Sequence, residues 1–142
     1  MITMKSKLSR RQSREQAFIL AFERNINRES FESLCEAAIE SRDFEIDSFA
    51  MGLLEQIENN EDEINALIQV HSNKRTIQRI SKAALSVLQL AISELKYSDI
   101  SQTKAENPES VIINEAVIIA KKYSTPEESS FINGVLGSIV RA

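Results

Sequence analysis

Apolar residues recur along this chain at spacings of three and four, the period of a helix and not of a strand. Ala17, Phe18, Ala21 and Phe22 make the first stripe, behind a Ser9/Gln12 pair that predicts a capping box. Phe31, Leu34, Cys35, Ala38 and Ile39 make the second, and Ile46, Phe49, Ala50, Leu53, Leu54 and Ile57 the third. Asn60 and Glu63 predict a further helix start ahead of Ile64, Leu67 and Ile68. A longer stripe carries Ala84, Val87, Leu88, Ala91, Ile92 and Leu95. Each stripe must bury its apolar side against another, so the pattern predicts an all-α fold, a compact bundle of about seven helices.

Two prolines mark the last helix starts. In Asn107-Pro108-Glu109 and Thr125-Pro126-Glu127-Glu128 a capping side chain precedes a proline, whose missing N–H is not needed at the first helical position. The helix opened at Pro108 carries Val111, Ile112, Ile113, Ala116, Val117, Ile118, Ile119 and Ala120 on most of its circumference, which predicts a place near the centre of the fold. Asn114 and Glu115, on that helix, are expected to hydrogen-bond within the fold. Gly134, inside the last helix, predicts the close approach of another helix or chain.

With 142 residues, 42% of them hydrophobic, the chain has the size and composition of one soluble domain with a substantial core. Cys35 is the only cysteine, which excludes an internal disulfide and a multi-thiolate zinc site and predicts an inert buried thiol. His71 is the only histidine and has no nucleophile or carboxylate pair at recognisable spacing. No glycine-rich loop could cradle nucleotide phosphates. Catalysis, metals and cofactors are therefore not expected. The apolar run from Ala116 to Ala120 is too short to span a bilayer, and no secretory signal opens the chain, so a cytoplasmic protein is expected.

Net charge is −4, yet the charges are segregated. Lys5, Lys7, Arg10, Arg11 and Arg14 all precede the first acid, Glu15, whereas acids crowd the stretch from Glu23 to Glu63. A polyanion would be drawn to one end and repelled by the flank behind it. Cations in the first turns of a helix oppose its dipole, by about 0.3–1 kcal/mol each, so stability alone would have put acids there. Anion binding explains the placement, with a solvated basic tail as the plain alternative.

Several short motifs occur together: Ser9-Arg10-Arg11-Gln12-Ser13-Arg14-Glu15, then Ile113-Asn114-Glu115-Ala116-Val117, Ala120-Lys121-Lys122-Tyr123 and Phe131-Ile132-Asn133-Gly134-Val135-Leu136. In this order, along nearly the whole chain, they resemble the NusB family of bacterial transcription antitermination factors. The resemblance implies a single domain of two helical subdomains, roughly residues 1–73 and 74–142. It implies binding of boxA RNA in ribosomal RNA transcripts, jointly with the small-subunit ribosomal protein NusE, and assembly of an antitermination complex on RNA polymerase. On that likeness Lys5, Lys7, Arg10, Arg11, Arg14, Glu127 and Phe131 are the expected RNA-binding residues. Phe22, Ala84 and Leu88 are the expected partner-binding residues, and a homodimer through the same surface stays open. This chain departs from the family at Ala84, where an acid is frequent, at Gln89, where arginine is, and at Ser130, where lysine is. Two other readings remain: a helical module that binds only protein, or a NusB-like domain related to ribosomal RNA methyltransferases without their catalytic part.

Overall fold

A computed structural model of the chain describes residues 8–42, 46–73, 75–100, 103 and 105–142. Lys5 and Lys7 lie outside the described residues, as does the side chain of Ala38. Seven α-helices follow one another among them: α1 (Arg10–Asn27), α2 (Phe31–Arg42), α3 (Ser48–Asn59), α4 (Glu61–His71), α5 (Lys82–Tyr97), α6 (Pro108–Tyr123) and α7 (Pro126–Arg141). A 3₁₀ turn at Ile77–Arg79 joins α4 to α5. The expected all-α bundle is what the chain forms.

Most helix starts follow their local chemistry. Ser9 and Gln12 form the reciprocal capping box, each side chain accepting from the other's backbone N–H at 3.1 and 2.9 Å. Asn107 and Thr125 cap α6 and α7 by accepting from Ser110 N and Glu128 N, ahead of their prolines. The expected cap at Asn60 does not form. Its amide turns back to donate to the Gln56 carbonyl at 2.9 Å and to Gln56 Oε1, because α3 runs into α4 with almost no break. The acids Glu61, Asp62 and Glu63 then compensate the α4 dipole.

The helix at the centre is α5, not α6. Every residue of α5 from Ala84 to Leu95 is buried, and it packs against α1, α3, α4, α6 and α7. By contrast α6 buries only Ile112, Glu115, Ala116, Ile119 and Ala120, and leaves Ile113, Val117 and Ile118 partly open. An all-round apolar helix needs neighbours on every side to be central, and α6 packs closely on α5 and α7 while it meets α1 chiefly through long side chains at Glu115, Lys122 and Tyr123. Asn114 is exposed, against expectation, while Glu115 is buried and bonded as expected. The close approach expected at Gly134 is not made within the chain, since a Cβ placed there would meet nothing within 4 Å.

Paired contacts fix how the helices run. Arg14 meets Glu94 and Asn25 meets Ser86 and Gln89, so α1 and α5 are antiparallel. Ser81, capping α5, donates to Glu128 in the first turn of α7, so the N-terminal ends of these two packed helices lie together. The arginines of α1 thus stand at the far end of α5, and the first turn of α7 at its near end.

Candidate nucleic-acid interface

The first turns of α1 carry Arg10, Arg11 and Arg14 with no acid among them. The fold treats the three differently. Arg14 is buried and forms a bidentate pair with Glu94, Nε to Oε1 at 2.9 Å and Nη2 to Oε2 at 2.6 Å. Its remaining nitrogen lies 3.6 Å from Glu115 Oε1. Arg11 grips the same Glu115 from outside, through Nε at 3.1 Å and Nη2 at 2.9 Å. That bond raises the Arg11 pKa above its usual value. The Arg11 side chain is nevertheless 65% exposed and keeps Nη1 for another acceptor.

Arg10 pairs with no carboxylate among the described residues. Its guanidinium lies over the Phe49 ring, 3.9 Å from the centroid, which fixes its height above α3 without neutralising it. Beside this end, Glu15 accepts from Lys122 at 2.8 Å and from the Tyr123 hydroxyl at 3.1 Å. The Lys122 bond is the main cause of a Glu15 pKa below the ordinary carboxylate value. The basic opening of the chain is therefore partly neutralised, by acids 80 and 104 residues away.

At the other end of α5, Phe131 is half-buried on α7, and the exposed Arg75 places its guanidinium 4.3 Å from the ring centroid. Glu127 and Ser130 are exposed on the adjoining turns. At 1.5 Å per helical residue, the arginines of α1 and Phe131 are on the order of 15–20 Å apart. They are two stations on one molecule and not one cluster, bridged by α6, which meets α1 from Glu115 to Tyr123.

Sequence reasoning missed Arg75. The signal was available: between Glu63 and Glu94 there is no acid, while Lys74, Arg75, Arg79 and Lys82 all fall in that stretch. It also missed that Glu94 and Glu115 would hold two of the three arginines. Nothing local announces a contact across such sequence distances.

Of the partner-binding expectations, Phe22 is half-buried and stacks on Phe18 with ring centroids 5.6 Å apart. Ile19 and Ile26, one turn to either side, are exposed, so α1 presents an apolar outer strip. Ala84 and Leu88 are inside the core, at 2% and 0% exposure, and offer no surface to a partner. Gln89 is also buried, accepting from Asn25 and donating to Asn65, so its place is taken up by a polar network between α1, α4 and α5.

Among the described residues no three His, Cys, Asp or Glu side chains group as a metal site, and no helix is long and apolar enough to cross a membrane. His71 Nδ1 lies 2.7 Å from Ser138 Oγ, a contact between α4 and α7.

Comparison with known proteins agrees along almost the whole chain. Residues 11–141 match the model of the NusB family. The transcription antitermination protein NusB of Finegoldia magna is 37% identical over 138 residues, covering 94% of this chain and 95% of that protein. That of Clostridium novyi is 32% identical, covering 95% of this chain and all of its relative. The solved structure of T. maritima NusB superposes with a TM-score of 0.79 at 31% identity, covering 95% of this chain and 92% of that one. A crystal structure of antitermination factors NusB and NusE in complex with double-stranded RNA gives 0.77 at 23% identity, a likeness of fold, covering 93% of this chain and 96% of that one. This chain belongs to the NusB family.

Proposed function

We propose that this protein binds the boxA element of nascent ribosomal RNA together with the ribosomal protein NusE, and so helps load an antitermination complex onto RNA polymerase. The observation that carries the reading is the opening of α1, where Arg10 and Arg11 occupy a dipole-opposed position and face solvent. A phosphate there would accept from both guanidinium groups. Arg14 takes a different part: it anchors α1 to α5 and α6 and sets the height at which the other two stand. Phe131 and Arg75 supply a ring and a guanidinium plane against which an unstacked base could lie. The strip of Ile19, Phe22 and Ile26 is the proposed docking surface for NusE. Function then rests on assembly, with no bond made or broken by this chain.

The test is an anisotropy titration of labelled boxA RNA and of a scrambled RNA, with and without NusE, over a salt series. Binding of boxA should exceed that of the scrambled strand, tighten with NusE, and weaken by about 0.7 logarithmic units per phosphate held for each tenfold rise in salt. Equal binding of both strands in every condition would overturn the reading. The alternative of a protein-only module predicts NusE binding that is insensitive to salt and no RNA binding at all.

A further inference from the structure

Between α6 and α7, on the face turned away from α5, runs a groove of about 990 Å³. Asn114, Lys121, Asn133 and Arg141 line it beside the apolar Ile113, Val117 and Val140, with no carboxylate among the lining residues. Asn114 and Asn133 are exposed, and neither side chain makes a hydrogen bond among the described residues. Asparagine and glycine are poor residues for the middle of a helix. Here they stand in mid-helix with no contact that repays the fold, and Gly134 faces open space. Packing does not account for them.

Charge points the same way. Lys121 and Arg141 line the groove and have no carboxylate partner among the described residues, a state they share with Arg10, Arg75 and Arg79 elsewhere on the surface, whereas Arg11, Arg14, Arg24 and Lys122 are held by carboxylates. Arg141 folds back along its own helix, its guanidinium lying where a side chain at Gly137 would be, within 2.9 Å of that Cβ position. An acid-free groove with two cations unpaired within the fold and two solvent-facing amides is complementary to a polyanion that also offers hydrogen-bonding edges. It lies on the same two helices as Glu115 and Phe131 but on another face of each, since neither of those residues lines it.

We propose that this groove holds a stretch of single-stranded RNA, with Lys121 and Arg141 on its phosphates and Asn114 and Asn133 as specificity-determining side chains on base edges. The proposal rests on the RNA-binding reading above and adds where sequence is read. Phosphate contacts fix a strand's position and carry no sequence information, whereas an amide can donate and accept to the edge of an unstacked base. The open position at Gly134 lets a base or sugar come against the α7 backbone.

The experiment uses the whole chain with the boxA and scrambled RNAs. Asn114→Ala and Asn133→Ala should each reduce the preference for boxA over the scrambled strand by roughly 3- to 10-fold, the loss of one net hydrogen bond. The salt slope should not change, and the melting temperature should stay at or above that of the parent. Lys121→Ala and Arg141→Ala should weaken both RNAs alike and flatten the slope by about 0.7 each. Gly134→Leu, whose Cβ has nothing within 4 Å of it, should weaken both by obstruction. If Arg10→Ala and Arg11→Ala abolish RNA binding while the two asparagine variants keep full discrimination, the groove proposal alone is overturned. If the parent binds neither RNA, the functional reading falls and this one with it. If the asparagine variants lose NusE in place of RNA discrimination, the groove is a protein surface and the proposal is wrong.

Discussion

Arg14→Ala separates anchoring from RNA contact. The Arg14 and Glu94 side chains are 9% and 6% exposed, so removing the guanidinium leaves a carboxylate buried without its bidentate donor and takes a neighbour from Glu115. Breaking one side of such a pair costs about 3–5 kcal/mol, much of it the penalty of the stranded charge. Set against the 5–15 kcal/mol that holds a typical domain together, this is a large fraction. For a chain of this length it corresponds to a fall in melting temperature of roughly 10–20 °C. The measurement is urea and thermal unfolding followed by circular dichroism for Arg14→Ala, Glu94→Ala and a double Arg14→Met/Glu94→Met variant. Both single changes should be severely destabilising and the double one much less so, because paired apolar groups leave no buried charge at this pair. Well below its melting temperature, folded Arg14→Ala should keep most of its RNA affinity, whereas Arg10→Ala and Arg11→Ala lose affinity without losing stability. A melting temperature unchanged by Arg14→Ala, or RNA binding abolished in the folded variant, would refute the reasoning.

Burial, followed by the charges of Glu58 and Glu36, pushes the Cys35 thiol up to about 11 from 9.0, so it should resist a disulfide reagent at pH 8 until urea unfolds the chain. Because the folded value is the higher one, that preference contributes to stability below about pH 9 and is lost as pH climbs through the folded value. Glu15 has the opposite sign: its folded pKa is depressed, chiefly by the Lys122 hydrogen bond, so its contribution is present above 4.5 and disappears as acid titrates it. Glu15→Gln should therefore flatten the acid side of a stability-against-pH curve, and parallel curves would show the bond to be idle. Gly134→Ala should stabilise the free protein by about 1 kcal/mol, read as a raised urea midpoint, since the added methyl meets nothing. Phe22→Asp should abolish capture of NusE in a pull-down while the helical spectrum is retained, and an intact complex would remove α1's outer strip from the interface.

How much of this could be read without coordinates depends on the distance over which each feature is determined. Helix starts at Ser9, Asn107 and Thr125 are decided within four residues, and all three form as expected. Asn60 fails for a reason equally local but outside its own window, the arrival of α3 at Gln56. Which helix is central is not local. α6 is the more evenly apolar by composition, yet α5 is enclosed, because enclosure depends on how many neighbours pack around a helix. The same holds for charge. A run of arginines is visible in sequence, but whether each faces water or a carboxylate was settled by Glu94 and Glu115. The order of charges could have shown one thing more: the acid-free span before Glu94 leaves Arg75 with no acid near it in sequence, although its place over Phe131 is set by the fold.

The central helix has a mechanical consequence. α5 contains neither glycine nor proline and is clasped by five other helices, so it behaves as a stiff axle with no joint along its length. A ligand seated on the arginines cannot alter the far pole by bending that axle. Direct contact between RNA and a protein partner at the rim would give cooperation without any bend of α5, which makes the length and path of the RNA a variable that tunes it.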